Sequence, residues 1–109
     1  MRVFVDGNLS RVCYVSEDRT IFKTIQLLTT HSNNESEYMA VIAALEDIPG
    51  PVEIVSDSQL IVRQLNFEYD IKKEHLRKLA VRVHEQCEGR EVIFTWVPRQ
   101  ENLAGRFLG

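Results

Sequence analysis

The sequence predicts an α/β fold in which one mixed sheet carries helices on both faces. Two observations lead to this prediction. In the first thirty residues, short segments rich in Val, Ile, Phe, Tyr and Thr alternate with turn residues, as in an antiparallel meander. Beyond them, segments with helical spacing alternate with two compact apolar stretches, VEIVS and EVIFTWV. The predicted order is three strands, a helix, a strand, one or two helices, a strand and a short final helix.

The meander is predicted over residues 2–6, 11–15 and 20–28, with turn residues at Gly7, Asn8 and Ser10 and again at 16–19. From His31 the period changes to that of a helix, which Pro49 terminates. Its apolar stripe comprises Tyr38, Val41, Ile42, Leu45 and Ile48. Ser32, Asn33 and Asn34 are the candidate N-caps of this helix.

The second half begins with the VEIVS strand, which ends at Asp57. Helical spacing resumes in SQLIVRQLN and again over residues 71–86, where Gly89 terminates it. In EVIFTWV, both the odd and the even positions carry apolar residues, so both faces of this strand are predicted to be covered. Phe94 and Trp96 are therefore predicted to lie in a central strand. Asn102 is a candidate cap for a final helical turn that runs through Phe107.

Length and composition indicate one domain over residues 1–109, because 44% hydrophobic and 27% charged residues are typical of globular proteins. No apolar run approaches the roughly 20 residues of a membrane span, and the start MRVFVDG lacks the regions of a signal peptide. We therefore expect a cytoplasmic protein that does not bind membranes, and a monomer. Cys13 and Cys87 lie far apart in the sequence and do not indicate a zinc site.

The charges are unevenly distributed along the chain. A net charge of −3 argues against a protein that holds nucleic acid by a bulk positive field. Residues 1–70 carry five Lys and Arg against eleven Asp and Glu, whereas residues 71–109 carry eight against five. This asymmetry would suit a cation site beside a polyanion-binding surface, but from charge alone the simpler explanation is two solvated faces.

Three acids occupy positions where a charge is not expected by chance. Asp6 follows the apolar run Val3 to Val5, where an uncompensated charge is costly. Glu37 falls about 40° from Val41 around the predicted helix, so it borders the buried stripe. Asp57 ends a strand and opens a helix, at the carboxyl edge where α/β sheets usually place their sites.

These three carboxylates could converge and bind hard divalent cations, because Mg²⁺ prefers oxygen ligands. Two such ions could activate a water and stabilise the leaving oxygen of a phosphodiester. The alternative is purely structural: two acids at strand ends and a favourable charge near a helix N-terminus. The spacing alone leaves both interpretations open.

The same segments resemble ribonuclease H, in particular its compact members. VFVDG at 3–7, NNESEYMAVIAALE at 33–46, VEIVSDSQLIVRQLN at 52–66 and VIFTWVPRQEN at 92–102 occur in the family's order over nearly the whole chain. The resemblance implies a five-stranded sheet of order 3-2-1-4-5, with the last two strands parallel to the first. It also implies cleavage of the RNA strand of RNA–DNA hybrids with two Mg²⁺ or Mn²⁺ ions.

By position, the resemblance implies that Asp6, Glu37 and Asp57 are catalytic metal ligands. It also implies that Asn33, Asn34 and Gln59 contact the hybrid, where amides can bond a 2′-hydroxyl and base edges in the minor groove.

The chain departs from the family pattern where the fourth carboxylate is expected, because that position is Gly105. Glu101 is the nearest acid along the chain and could take its place, directly or through water. The departure supports an alternative function, a catalytically impaired module that binds nucleic acid or a protein.

Overall fold

The structure, a computed structural model, describes residues 1–108. Its strands are β1 (Arg2–Gly7), β2 (Arg11–Ser16), β3 (Phe22–Gln26), β4 (Val52–Ser56) and β5 (Val92–Trp96). Its helices are α1 (Asn33–Asp47), α2 (Gln59–Leu65), α3 (Glu74–Cys87) and α4 (Leu103–Leu108). A 3-10 turn at Arg99–Glu101 precedes α4. The elements occur in the predicted order.

The five strands form one mixed sheet of order β3-β2-β1-β4-β5, which confirms the expected topology. β1 is antiparallel to β2 and parallel to β4, and β4 is parallel to β5. In the β1–β4 pair, Val3 lies beside Ile54 and Phe4 beside Val55. The carboxyl ends of β1 and β4 therefore meet at the same edge of the sheet, and this brings Asp6 close to Asp57.

The sheet separates two hydrophobic layers, because successive side chains of a strand point to opposite faces. Val3 and Val5 of β1 belong to the larger layer, which α1, α2 and α3 cover. Phe4 belongs to the smaller layer, which α4 covers together with Val97. Helices on both faces were predicted, and both layers are present.

The prediction that β5 is a central strand covered on both faces is wrong. β5 lies at the edge of the sheet. Val92 and Phe94 pack against the larger layer, but Ile93 is 62% exposed and Trp96 is 44% exposed. The reason is the small size of α4, which packs over β1 and β2 and does not extend across β5.

Several element boundaries also differ from those predicted. β3 is shorter than the predicted residues 20–28, and α3 begins at Glu74 instead of residue 71. Ser32 caps α1: its hydroxyl accepts from the Glu35 amide, and the Glu35 carboxylate accepts from the Ser32 amide. The two asparagines that follow are therefore not needed as caps.

Within residues 1–108, no helix is both long and apolar enough to cross a bilayer.

Candidate functional site

Asp6 lies at the centre of the site. It is the fifth residue of β1, the middle strand of the sheet, and its side chain is only 3% exposed. Its Oδ1 accepts a hydrogen bond of 2.9 Å from the amide of Gly7. The strand thus holds this carboxylate in one orientation and leaves Oδ2 directed toward the other polar groups of the site.

Glu37 reaches Asp6 because α1 packs unusually close to the end of β1. A Cβ at Gly7 would lie 2.6 Å from the backbone carbonyl of Ser36, so only glycine allows this approach. Glu37, the next residue in α1, is 6% exposed. The hydroxyl of Ser56, at the end of β4, donates to Glu37 Oε2 at 3.4 Å.

Asp57 completes the cluster from the carboxyl end of β4. Its side chain is 10% exposed, and the indole Nε1 of Trp96 donates to its backbone carbonyl at 3.1 Å. One oxygen from each of Asp6, Glu37 and Asp57 lies within 4.8 Å of the others. The structure therefore brings together the three acids that the sequence singled out.

The crowding of these acids changes the protonation of Glu37. Burial raises the pKa of Glu37 well above the ordinary 4.5, and the hydrogen bond with Asp6 and the charges of Asp6 and Asp57 raise it further. The raised pKa favours the protonated form of Glu37, which reduces the repulsion within the cluster.

A guanidinium also lies against the cluster. Arg99 Nη1 donates to Asp6 Oδ2 at 3.1 Å and to Asp57 Oδ2 at 3.0 Å. The charges of Asp6 and, to a lesser extent, Asp57 raise the pKa of Arg99 above its ordinary value. The Arg99 side chain is 63% exposed, so this cation approaches the buried acids from the solvent side.

Asn102 fixes the loop that carries Arg99. Its Nδ2 donates to the Val5 carbonyl and to Asp57 Oδ2, both at 2.9 Å. Its Oδ1 accepts from the Ala104 amide at 3.1 Å, which confirms the predicted capping role at α4. One buried amide therefore ties together β1, Asp57 and the start of α4.

The amides that the resemblance links to substrate lie around this cluster. Asn33 and Asn34 begin α1, one helical turn before Glu37. Gln59 begins α2, two residues after Asp57. Asn33 and Gln59 are exposed and Asn34 is half-buried. Asn33 and Asn34 thus share α1 with Glu37, and Gln59 follows Asp57 closely along the chain.

Gly105 faces the cluster, in the position that the resemblance gives to a fourth carboxylate. A Cβ at this residue would lie 3.2 Å from Asp6 Oδ2 and 3.7 Å from Arg99 Nη1. Glu101 is exposed, and the close cluster found among residues 1–108 consists of the other three acids.

The donor set fits a hard divalent cation. All three acidic side chains offer only oxygen, which Mg²⁺ and Mn²⁺ accept. Asp6 and Glu37 are buried, where like charges repel one another strongly. Protonation of Glu37 and the guanidinium of Arg99 reduce this repulsion. Asp6, Glu37 and Asp57 would hold such a cation.

Two polar residues of the site were not predicted to act there. Arg99 and Asn102 both belong to the VPRQEN segment, which was identified only as a motif. A usable signal was present for Arg99, since it is the only basic residue between the end of β5 and α4. No signal in the sequence distinguished the amide of Asn102, beyond its place as a helix cap.

Comparisons with known proteins point to one family. The family model of RNase H matches residues 1–104. A protein of Mycobacterium tuberculosis described as bifunctional is 30% identical over 97 residues, which cover 84% of this chain and 27% of that protein. The chain thus spans about a quarter of the length of this relative.

Two solved structures are similar over almost the whole chain. RNase H1 from Halobacterium salinarum has a TM-score of 0.82 and 29% identity, and the match covers 98% of this chain and 92% of that one. An RNase H1 isolated from compost, solved in complex with an RNA/DNA hybrid, has a TM-score of 0.82 and 25% identity, with 96% and 91% covered.

Proposed function

The chain belongs to the RNase H family, and from this premise we propose that it is a metal-dependent endonuclease that hydrolyses the RNA strand of RNA–DNA hybrids. The observation that carries the proposal is the convergence of Asp6, Glu37 and Asp57, whose oxygens lie within 4.8 Å of one another. The proposed cofactors are two Mg²⁺ or Mn²⁺ ions, with these three carboxylates as their ligands. A bound divalent cation supplies Lewis acidity and a water of lowered pKa for attack on phosphorus.

The residues of the chain contribute position and charge to this reaction. The β1–β4 pair fixes Asp6 and Asp57, and the close contact at Gly7 fixes Glu37. The burial of these acids keeps water from screening their charge, which strengthens any interaction with a cation. Because its surroundings raise the pKa of Glu37, binding of a cation by its carboxylate would be accompanied by proton release.

Selection of RNA is assigned to three side-chain amides. Asn33, Asn34 and Gln59 can each donate and accept hydrogen bonds, as recognition of a 2′-hydroxyl requires. Their positions on α1 and α2 would place a sugar beside the carboxylates. Support for a hybrid as substrate comes from the similar RNase H1 that was solved with one.

The proposal is tested with a labelled RNA–DNA hybrid in Mg²⁺ and in Mn²⁺. We expect cleavage of the RNA strand by the parent, no cleavage of duplex DNA, and a loss of at least about 100-fold in Asp57→Asn, because a metal ligand is lost. Asp70→Asn is the matched control, since Asp70 is exposed and lies outside the cluster. Equal rates for Asp57→Asn and Asp70→Asn would refute the mechanism.

One observation favours a second candidate function. In this alternative the chain is a catalytically impaired module that binds nucleic acid or a protein. Gly105 offers no side chain where it faces Asp6, and Arg99 already occupies the space beside Asp6 and Asp57. The same assay decides between the two functions. Tight binding of the hybrid without cleavage in either metal would support the module, whereas multiple turnover would exclude it.

A further inference from the structure

Arg99 bridges two of the three acids with a single atom. Its Nη1 lies 3.1 Å from Asp6 Oδ2 and 3.0 Å from Asp57 Oδ2. The acids are 3% and 10% exposed, whereas the arginine is 63% exposed. One exposed positive charge therefore offsets part of the negative charge of two largely buried carboxylates.

This guanidinium contacts two of the three acids, Asp6 and Asp57. Gly105 lies beside it, since a Cβ there would lie 3.6 Å from the guanidinium carbon. Glu37 instead interacts with Asp6 and with the hydroxyl of Ser56. Within residues 1–108, the contacts with a basic side chain thus fall on Asp6 and Asp57.

We propose that Arg99 is a built-in competitor for divalent cations and that it determines how tightly the site binds them. The inference rests on the proposed function, because it takes the carboxylates to be metal ligands. A cation that engages both Asp6 and Asp57 must displace the guanidinium or share their charge with it. Displacement is feasible because Arg99 is held only by these carboxylates at its tip, and solvent surrounds most of its side chain.

The competition also affects the choice of metal. Mn²⁺ binds nitrogen and oxygen ligands more strongly than Mg²⁺ and tolerates less regular geometry. It should therefore displace the guanidinium at lower concentration. Arg99 acts here as a positioning and selectivity residue that sets the affinity for the metal, without itself reacting.

The test measures binding of Mn²⁺ alone, by isothermal titration calorimetry on protein freed of metal with a chelator and then dialysed, with no substrate present. We expect Arg99→Gln to bind Mn²⁺ about tenfold more tightly than the parent, because the competing charge is gone. Arg106→Gln is the matched control: it removes an exposed arginine of α4 outside the cluster and should leave the affinity unchanged. Equal affinity in the parent, Arg99→Gln and Arg106→Gln would overturn the inference.

Thermal unfolding supplies a second readout. Without metal, Arg99→Gln leaves Asp6 and Asp57 uncompensated, so its Tm should fall, and saturating Mn²⁺ should raise it by more than it raises that of the parent. If Arg99→Gln does not fold without metal, Arg99→Lys keeps one positive charge and should show intermediate affinity. Parent-like affinity of Arg99→Lys, together with an equal rise in Tm, would count against competition.

Failure of this inference can be distinguished from failure of the proposed function. If Asp57→Asn abolishes both metal binding and hybrid cleavage while Arg99→Gln leaves the affinity unchanged, the carboxylates are the ligands and only the role of Arg99 is refuted. If neither the parent nor Arg99→Gln binds Mn²⁺, Arg99 is not what limits binding, and hybrid cleavage then decides the proposed function independently.

Discussion

Replacing Gly105 by aspartate should restore the missing carboxylate and increase activity in Mg²⁺. The residue is the third of α4, where an acid interacts favourably with the helix N-terminus, and glycine is the poorer helix former of the two. Its Cβ would lie 3.2 Å from Asp6 Oδ2, so that Asp6 or the helix must shift by a few tenths of an ångström. The substitution should therefore be tolerated by the fold.

The size of the effect follows from the short distance. A full charge about 4 Å from a cation contributes about 4 kcal/mol at an effective dielectric constant of about 20. The new carboxylate also attracts Arg99, whose Nη1 would lie 3.7 Å from the Cβ, and this attraction opposes metal binding. A net gain of about 1.4 kcal/mol is a reasonable expectation, which corresponds to a tenfold lower Mg²⁺ requirement.

The assay is hybrid cleavage as a function of Mg²⁺ concentration, for the parent and for Gly105→Asp. Gly105→Asn is the matched control, because it has nearly the same shape and the same Cβ contact but no charge. We expect the half-saturating Mg²⁺ concentration to fall about tenfold in the aspartate variant and not in the asparagine variant. The same Mg²⁺ dependence in both variants would show that position 105 does not contribute charge to the metal site.

Two further predictions concern the metal-free fold. The pKa of Glu37 is raised in the folded protein, so its contribution to stability is full below the unfolded pKa of about 4.5 and is lost as pH rises above it. Glutamine does not titrate, so the stability of Glu37→Gln relative to the parent should be greater at pH 8 than at pH 5, by about 1 kcal/mol or more. Thermal unfolding of both proteins in a chelator, at the two pH values, measures this difference. Gly7→Ala should destabilise the protein by about 3 kcal/mol, because its Cβ would lie 2.6 Å from the Ser36 backbone. Urea unfolding measures this beside Gly50→Ala, where φ is +80° but a Cβ would meet nothing within 4 Å, so that backbone strain acts alone. A smaller destabilisation by Gly7→Ala than by Gly50→Ala would contradict the prediction.

The position of the three acids could be predicted from the sequence, because each depends on a local pattern. Asp6 and Asp57 each follow a short apolar strand, and Glu37 lies on the buried side of a helix with clear apolar spacing. The partial exposure of β5 could not be predicted in the same way. An apolar stretch does not show how far the helix on its outer face extends, and α4 is only six residues long.

The contact of Arg99 with the acids could not be predicted from local sequence patterns, for a different reason. A long flexible side chain on a loop has many rotamers, and which anion it contacts depends on where the loop is anchored. Here the anchor is Asn102, whose Nδ2 reaches both the Val5 carbonyl and Asp57 across 97 and 45 residues of sequence. The carboxylates could be inferred one element at a time, whereas the cation beside them required the assembled structure.

Together these contacts explain how a fold can keep three acids so close without metal. Burying carboxylates is costly unless their charge is compensated. The raised pKa of Glu37 favours its neutral form, and the guanidinium of Arg99 offsets one of the two charges of Asp6 and Asp57. The two compensations respond to different conditions, since the proton is lost as pH rises, whereas the guanidinium keeps its charge and yields only to a competing cation. Carboxylates held together in this way still offer only oxygen, the ligand type that Mg²⁺ prefers.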